Sequence, residues 1–170
     1  MSGVILRNLY ESDYKQLLIW ENDQEIAQYS GHEDPVFYNE DDIKNLIKNN
    51  PKIYENKQFR LMICVDSLDN PIGTVDLFEM DFENKTTKIG ILIAKEKFRN
   101  KGYAKKAINM MEDFAKDNFQ IKAVFADVQA DNINSLNLFK GLNYEIFNDI
   151  NSKKSNTPYI YNLKKYLYQN

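Results

Sequence analysis

The chain is predicted to fold as a mixed α/β (α+β) structure, with a mostly antiparallel central sheet of about seven strands and flanking helices. Three observations carry this expectation. Residues 59–94 hold three β-type stretches separated by short turn dipeptides. The last of these runs through a glycine-containing loop into a long helix pattern and then a further strand, a βαβ arrangement. Two more β-type stretches close the chain, while the stretch between residues 12 and 50 is dominated by helix patterns.

Each element has a local cause. Residues 4–9 read as a strand. A helix begins at Ser12 with Tyr14, Leu17 and Leu18 on one face, and a short helix covers residues 24–29. Asn39 serves as N-cap of a helix over 40–49, with Glu40 and Asp41 in the first turn, Ile43, Leu46 and Ile47 as the apolar stripe, and Pro51 as the stop. Strands at 59–66, 71–80 and 86–94 are divided by Asp69-Asn70 and Asn84-Lys85, both turn formers, and so form an antiparallel meander. Ala104, Ala107, Ile108, Met111 and Ala115 trace the buried face of a helix from Gly102 to Phe119. Strand 123–128, helix 133–141, and strands 144–148 and 157–163 complete the order.

Composition bounds the function. A length of 170 residues, 43% apolar and 28% charged, suits one domain over 1–170 with a single core. No apolar run approaches the length of a membrane helix, and residues 1–9 show neither a basic region nor a cleavage site, so a cytoplasmic protein is expected. Net charge is −3 and no basic stripe with interleaved aromatics occurs, which argues against a nucleic-acid partner and favours cationic ones. Cys64 is the sole cysteine and His32 the sole histidine, so an intramolecular disulfide and a Cys/His metal site are excluded by count. Cys64 lies in an alternating stretch and reads as a core residue.

Chemistry concentrates at Arg99-Asn100-Lys101-Gly102-Tyr103-Ala104, between the apolar stretch 89–94 and the long helix pattern. A strand that enters a helix through such a loop aims the unpaired N–H groups of the first turn, and the positive end of the helix dipole, at whatever sits above them. Arg99 and Lys101 add charge, and Gly102 admits close approach and dihedrals that other residues avoid. This is a pyrophosphate grip. A second motif follows some thirty residues on, where Asn132, Ser135, Leu138 and Phe139 are spaced as Asn-x-x-Ser-x-x-Leu-Phe, with Asn143-Tyr144 beyond.

Together these motifs resemble the acetyl-CoA-binding signatures of the GCN5-related N-acetyltransferase (GNAT) family, and the element order is the order of that family. The resemblance implies a sheet splayed at the ligand site. The pantetheine arm of acetyl-CoA would lie there along backbone groups of Ile91, Leu92 and Ile93, with its pyrophosphate on residues Arg99 to Ala104. Asn132 and Ser135 would face the arm near the thioester, and Phe139 would pack beside the sulfur. Acetyl-CoA is the implied co-substrate, and no metal is required. Two positions depart from the family pattern: Phe139 stands where a catalytic tyrosine is usual, and Asn143-Tyr144 replaces Gly-Phe. Asparagine is the commonest substitute for glycine at a left-handed helix end. Phenylalanine cannot donate a proton, so a solvent proton serves or Tyr144 or Tyr103 stands in as the candidate general acid.

The acceptor amine must be neutral to attack, although a free alkylamine titrates near ~10.4. A carboxylate or an ordered water must therefore take its proton. Residues 76–83 resemble the acidic segment of spermidine N-acetyltransferases, which nominates Glu79 as base and Glu79 with Asp81 as acceptor contacts. Strand alternation puts both on the face of Leu77. Glu33, in the loop after Tyr29, matches that subgroup, and Tyr29 and Glu33 are nominated with them as acceptor contacts, whereas Lys88 stands where glutamate is frequent. The expected acceptor is a small molecule of polyamine type. An N-terminal alanine or serine amine of a ribosomal protein is the alternative, and a non-catalytic acyl-CoA-binding module is the alternative of another class. A homo-oligomer is left open.

Overall fold

The computed structural model describes residues 3–28, 36–150 and 159–168. Within them one sheet is formed by β1 (Val4–Arg7), β2 (Phe59–Val65), β3 (Pro71–Asp81), β4 (Thr86–Ile93), β5 (Ala123–Gln129), β6 (Glu145–Ile150) and β7 (Ile160–Tyr166). The spatial order is β1-β2-β3-β4-β5-β7-β6, antiparallel throughout except for β4 beside β5. The helices are α1 (Tyr14–Glu21), α2 (Gln24–Ala27), α3 (Glu40–Asn49), α4 (Ile53–Asn56), α5 (Tyr103–Phe119) and α6 (Ile133–Lys140). None of the helices among the described residues is long and apolar enough to cross a membrane.

Period-two alternation sorts side chains to two faces. Leu61, Ile63 and Val65 of β2 join Val75, Leu77 and Ile89 against the Ala107, Ile108, Met111 and Ala115 face of α5. The intervening Met62 and Cys64 pack on Leu17 and Trp20 of α1 and Ile43 of α3. Each fully buried Leu, Ile or Met side chain contributes about 1.5–3 kcal/mol relative to exposure. The two clusters therefore fix α5 on one face of β1 to β4 and the α1/α3 pair on the other.

Sequence boundaries hold closely in the meander and in α3. Asn39 caps α3 as expected: its side chain accepts from the Asp42 N–H at 3.1 Å, while the Asp42 carboxylate accepts from the Asn39 N–H at 2.8 Å. Elsewhere side-chain bonds move the ends. β1 stops at Arg7 instead of residue 9, because the guanidinium turns into a buried bidentate pair with Asp13 (2.7 and 2.9 Å) and donates to the Leu68 carbonyl. The helix expected from Ser12 enters as a 3-10 turn, Glu11–Asp13, before α1. The four-residue α4, closed by Lys57 at φ 54°, is too short for a periodic signal. A second 3-10 turn, Glu96–Phe98, leads into the phosphate-type loop. The closing hairpin folds back so that β7 lies between β5 and β6, and its strands run later in sequence than expected.

Candidate active site

β4 and β5 are paired over only three rungs: Thr86 with Ala123, Thr87 with Val124 and Lys88 with Phe125. Beyond Lys88 the edge of β4 that faces β5 has no ladder partner among the described residues, while β5 stays paired to β7 through Gln129. The parallel strands thus fork, leaving a row of backbone donors and acceptors along Ile89 to Ile93. On its other edge β4 stays in register with β3 up to Gly73 opposite Ile93, after which the Ala94 and Lys95 N–H groups both donate to the Ile72 carbonyl, at 2.9 and 3.3 Å.

The loop into α5 is shaped for an anion. Asn100 (φ 58°) and Gly102 (φ 80°) are left-handed on either side of Lys101, an alternation that gathers successive N–H groups into a concavity. Gly102 is needed for its dihedral, since an added Cβ there would meet nothing within 4 Å. The first intrahelical bond of α5 runs from the Lys106 N–H to the Gly102 carbonyl at 3.1 Å, so the N–H groups of residues 103–105 have no helical acceptor and point at the loop's concavity. Arg99 secures the loop by donating through Nε to the Ile93 carbonyl (3.0 Å) and through Nη2 to that of Ala94 (3.4 Å).

Fork and loop open into one cleft of about 230 Å³, walled by Ile91, Ile93, Phe98, Arg99, Asn100, Gly102, Tyr103, Ala104, Lys105, Asn134, Ser135 and Leu138. Eight of these are residues the sequence nominated. Leu92, Lys101, Asn132 and Phe139 were also nominated and lie off the wall. Leu92 alternates to the opposite face and packs against the α1/α3 cluster. Asn132 is the N-cap of α6, its side chain accepting from the Ser135 N–H at 3.1 Å. Phe139 turns into the core, 3% exposed and edge-on to Tyr144 at 5.0 Å, so it does not flank the cleft; its neighbour Leu138 does. Asn134 and Leu138 were legible as the i, i+4 pair on the face of Ser135. Phe98 gave no sequence signal, and its ring meets Tyr103 at 5.9 Å.

Tyr144 is not at the cleft. Its hydroxyl donates to Glu112 of α5 at 2.7 Å, and Lys165 donates to the other Glu112 oxygen at 2.5 Å. Burial and the Glu112 charge push its phenol far above the ordinary range. A general acid needs access and a proton near neutrality, so this geometry removes Tyr144 from the role and leaves Tyr103 as the nominated phenol on the wall. Cys64 is a core residue, its thiol pushed up by burial and bonded to the Leu68 carbonyl.

The opposite face of the fork carries charge. A β-bulge between Phe78 and Asp81 breaks the alternation that would have put Glu79 on the face of Leu77. Met80 takes the core position instead, and Glu79, at φ 49°, swings out to meet the Lys88 ammonium at 2.9 Å. Lys88 also reaches Asp127 of β5 at 2.8 Å. Asp81 is committed to the β3–β4 turn: the N–H groups of Asn84 and Glu83 and the Asn84 amide all donate to it, holding its carboxyl below the usual range. Nearby, Arg60 pairs bidentately with Asp76 at 2.8 Å and contacts Glu21, a network that the sequence did not suggest because its members are far apart in the chain. Tyr29, His32 and Glu33 lie outside the described residues.

The acetyltransferase (GNAT) domain family model matches residues 4–145. The spermidine N(1)-acetyltransferase of Vibrio cholerae serotype O1 is 26% identical over 139 residues, covering 82% of this chain and 77% of its own. A crystal structure of spermidine N-acetyltransferase from Vibrio cholerae with CoA and spermine shares the fold at TM-score 0.83 and 19% identity, over 96% of this chain and 95% of that one. A dodecameric structure of the same enzyme in an intermediate state gives TM-score 0.78 and 17% identity, over 96% and 93%. Forked strands above an anion-binding helix start, on a chain matched along most of its length, make this protein a member of the GNAT acetyltransferase family, an N-acetyltransferase that uses acetyl-CoA.

Proposed function

We propose that the chain transfers the acetyl group of acetyl-CoA to a primary amine of a small cationic acceptor, of polyamine type, by direct attack in a ternary complex. The observation that carries this reading is the unpartnered β4 edge opening onto the loop of residues 99–104. Donors along Ile91 to Ile93 can take an amide-bearing arm as they would take a strand. The concavity between Asn100 and Gly102, with the free first-turn N–H groups, suits a pyrophosphate. Acetyl-CoA supplies the thioester; the β4 backbone N–H groups stabilise the carbonyl oxygen as charge builds on it.

The acceptor reading is supported by charge. Glu21, Asp76, Glu79 and Asp127 outnumber Arg60 and Lys88 on the face across from the α5 helix, so an ammonium is favoured there and its loss of a proton can be assisted. The spermine-bound relative supports the same class of acceptor, and the dodecameric one supports self-association. Because Phe139 is enclosed in the core, the departing thiolate takes its proton from solvent or from Tyr103; with a thiol pKa near ~8.5 it is a tolerable leaving group.

The test is thiol release from acetyl-CoA at pH 8 against spermidine, spermine, cadaverine, an aminoglycoside and an alanine-started peptide. Turnover with the aliphatic amines is expected. Turnover confined to the peptide would replace the polyamine reading with the N-terminal one. Calorimetric CoA binding without turnover on any amine would refute transfer to this class.

A further inference from the structure

The concavity between Asn100 and Gly102, with the N–H groups of residues 103–105, matches the pyrophosphate diester of CoA. The adenosine end of CoA carries a further anion, a 3′-phosphate monoester of about −1.5 to −2 charge at neutral pH. Around the mouth of the cleft the chain concentrates cations. Residues 95–106 hold Lys95, Lys97, Arg99, Lys101, Lys105 and Lys106 against the single acid Glu96, on a chain of net charge −3. Arg99 is turned inward, with Nε and Nη2 on the Ile93 and Ala94 carbonyls. None of the five lysines makes an ion pair with a described residue, whereas Lys44, Lys88 and Lys165 do. Lys105 also stands in the first turn of α5, which holds no acid, at the positive end of the helix dipole. A cation is disfavoured there unless an anion shares the position. Of the five, Lys105 is the one on the cleft wall.

We infer that Lys105 receives the 3′-phosphate of CoA, with Lys97 and Lys101 adding to the field around it. The chain thereby selects free acetyl-CoA over thioesters whose phosphopantetheine lacks that group, such as those of dephospho-CoA or of a protein-bound carrier. Two kinds of donor divide the ligand between them. Fixed backbone N–H groups, gathered by the left-handed turn, suit a diester held in one place. A lysine suits the monoester beyond it, because its ammonium is a point charge on a flexible stem. This rests on acetyl-CoA lying in the cleft and is independent of which amine accepts the acetyl group.

The test is calorimetric titration of wild type and Lys105→Gln with CoA and with dephospho-CoA, at low ionic strength and in about 1 M salt, where the Debye length falls to about 3 Å. Wild type is expected to bind CoA about five- to tenfold more tightly than dephospho-CoA at low ionic strength, the gap closing to within about twofold in high salt. Lys105→Gln should weaken CoA about three- to fivefold and change dephospho-CoA by less than about twofold. Equal wild-type affinities for the two ligands at low ionic strength would overturn the inference. So would a Lys105→Gln loss of the same size for both, since that ammonium would then serve the pyrophosphate. The Lys105 side chain is exposed, so the variant is expected to fold as wild type does, and the wild-type comparison stands without it. Because binding is read directly, failure of acetyl transfer on the amine panel refutes the proposed function separately.

Discussion

Gly73 lies directly against the Leu92 carbonyl: a Cβ on Gly73 would stand 1.8 Å from that oxygen and 3.0 Å from the Ile93 Cα. The obstruction is backbone, so no side-chain rotation relieves it. Gly73→Ala is therefore expected to push β4 outward at the residues that border the cleft. It should lower stability by about 1–3 kcal/mol, as overpacking does, and weaken CoA binding as well. Denaturant unfolding and calorimetry check the two effects; a stable variant with native CoA affinity would contradict the account.

Gly102 makes the opposite kind of demand. There is room for a side chain, but φ is 80°. Gly102→Ala should destabilise by only about 1 kcal/mol. Its main effect should be on the ligand, through loss of the left-handed turn that aims the loop N–H groups. CoA affinity should fall several times more than stability alone would suggest.

Arg60→Met should reveal a pH signature. Burial raises the Asp76 carboxyl above its ordinary value, and Arg60 works against that rise. Without the guanidinium the folded pKa climbs further above the unfolded one. A carboxyl so displaced stays protonated when folded after the unfolded chain has ionised, so stability falls as pH rises from the unfolded pKa through the folded one. The penalty for removing Arg60 should approach about 3 kcal/mol at pH 7 and shrink toward pH 4. Urea midpoints across that range decide it; a penalty that grows on acidification would be the wrong sign.

Phe139→Tyr separates two accounts of the missing tyrosine. In the enclosed position beside Tyr144, a new hydroxyl adds an atom to a close-packed site, costing about 1–3 kcal/mol. No rise in kcat is expected. Tyr144→Phe should likewise leave the rate unchanged while unpairing one oxygen of Glu112. A tenfold rate gain in the first variant, or a tenfold loss in the second, would restore a catalytic role at that end of α6.

What the sequence disclosed, and what it did not, follows from range. Gly102, Asn100 and the α5 stripe are local: dihedral demand and period are written in adjacent residues, and the cleft was legible there. Asn143, at φ 66°, likewise fills the left-handed position that its spacing implied. The bulge at Glu79 is set by pairing with a strand some ten residues away, and alternation counted along one strand cannot see it. Phe139 and Leu138 differ by one step around α6, so a motif aligned by spacing names the turn but not which side chain meets the ligand. The Arg60 network joins three separate elements and has no linear trace.

The three-rung junction also bears on how the protein holds itself together. α5 backs both sides of the fork, its Glu112 holding Tyr144 and Lys165 and its apolar face sharing one core with Val124, Ala126 and Leu163, so beyond the third rung β4 and β5 are joined through side chains and not through a backbone ladder. A ligand lying along the open β4 edge would act as a zipper across the fork. CoA should then slow the exchange of amide protons of residues 123–129 by more than it slows those of β2, which is already flanked on both sides.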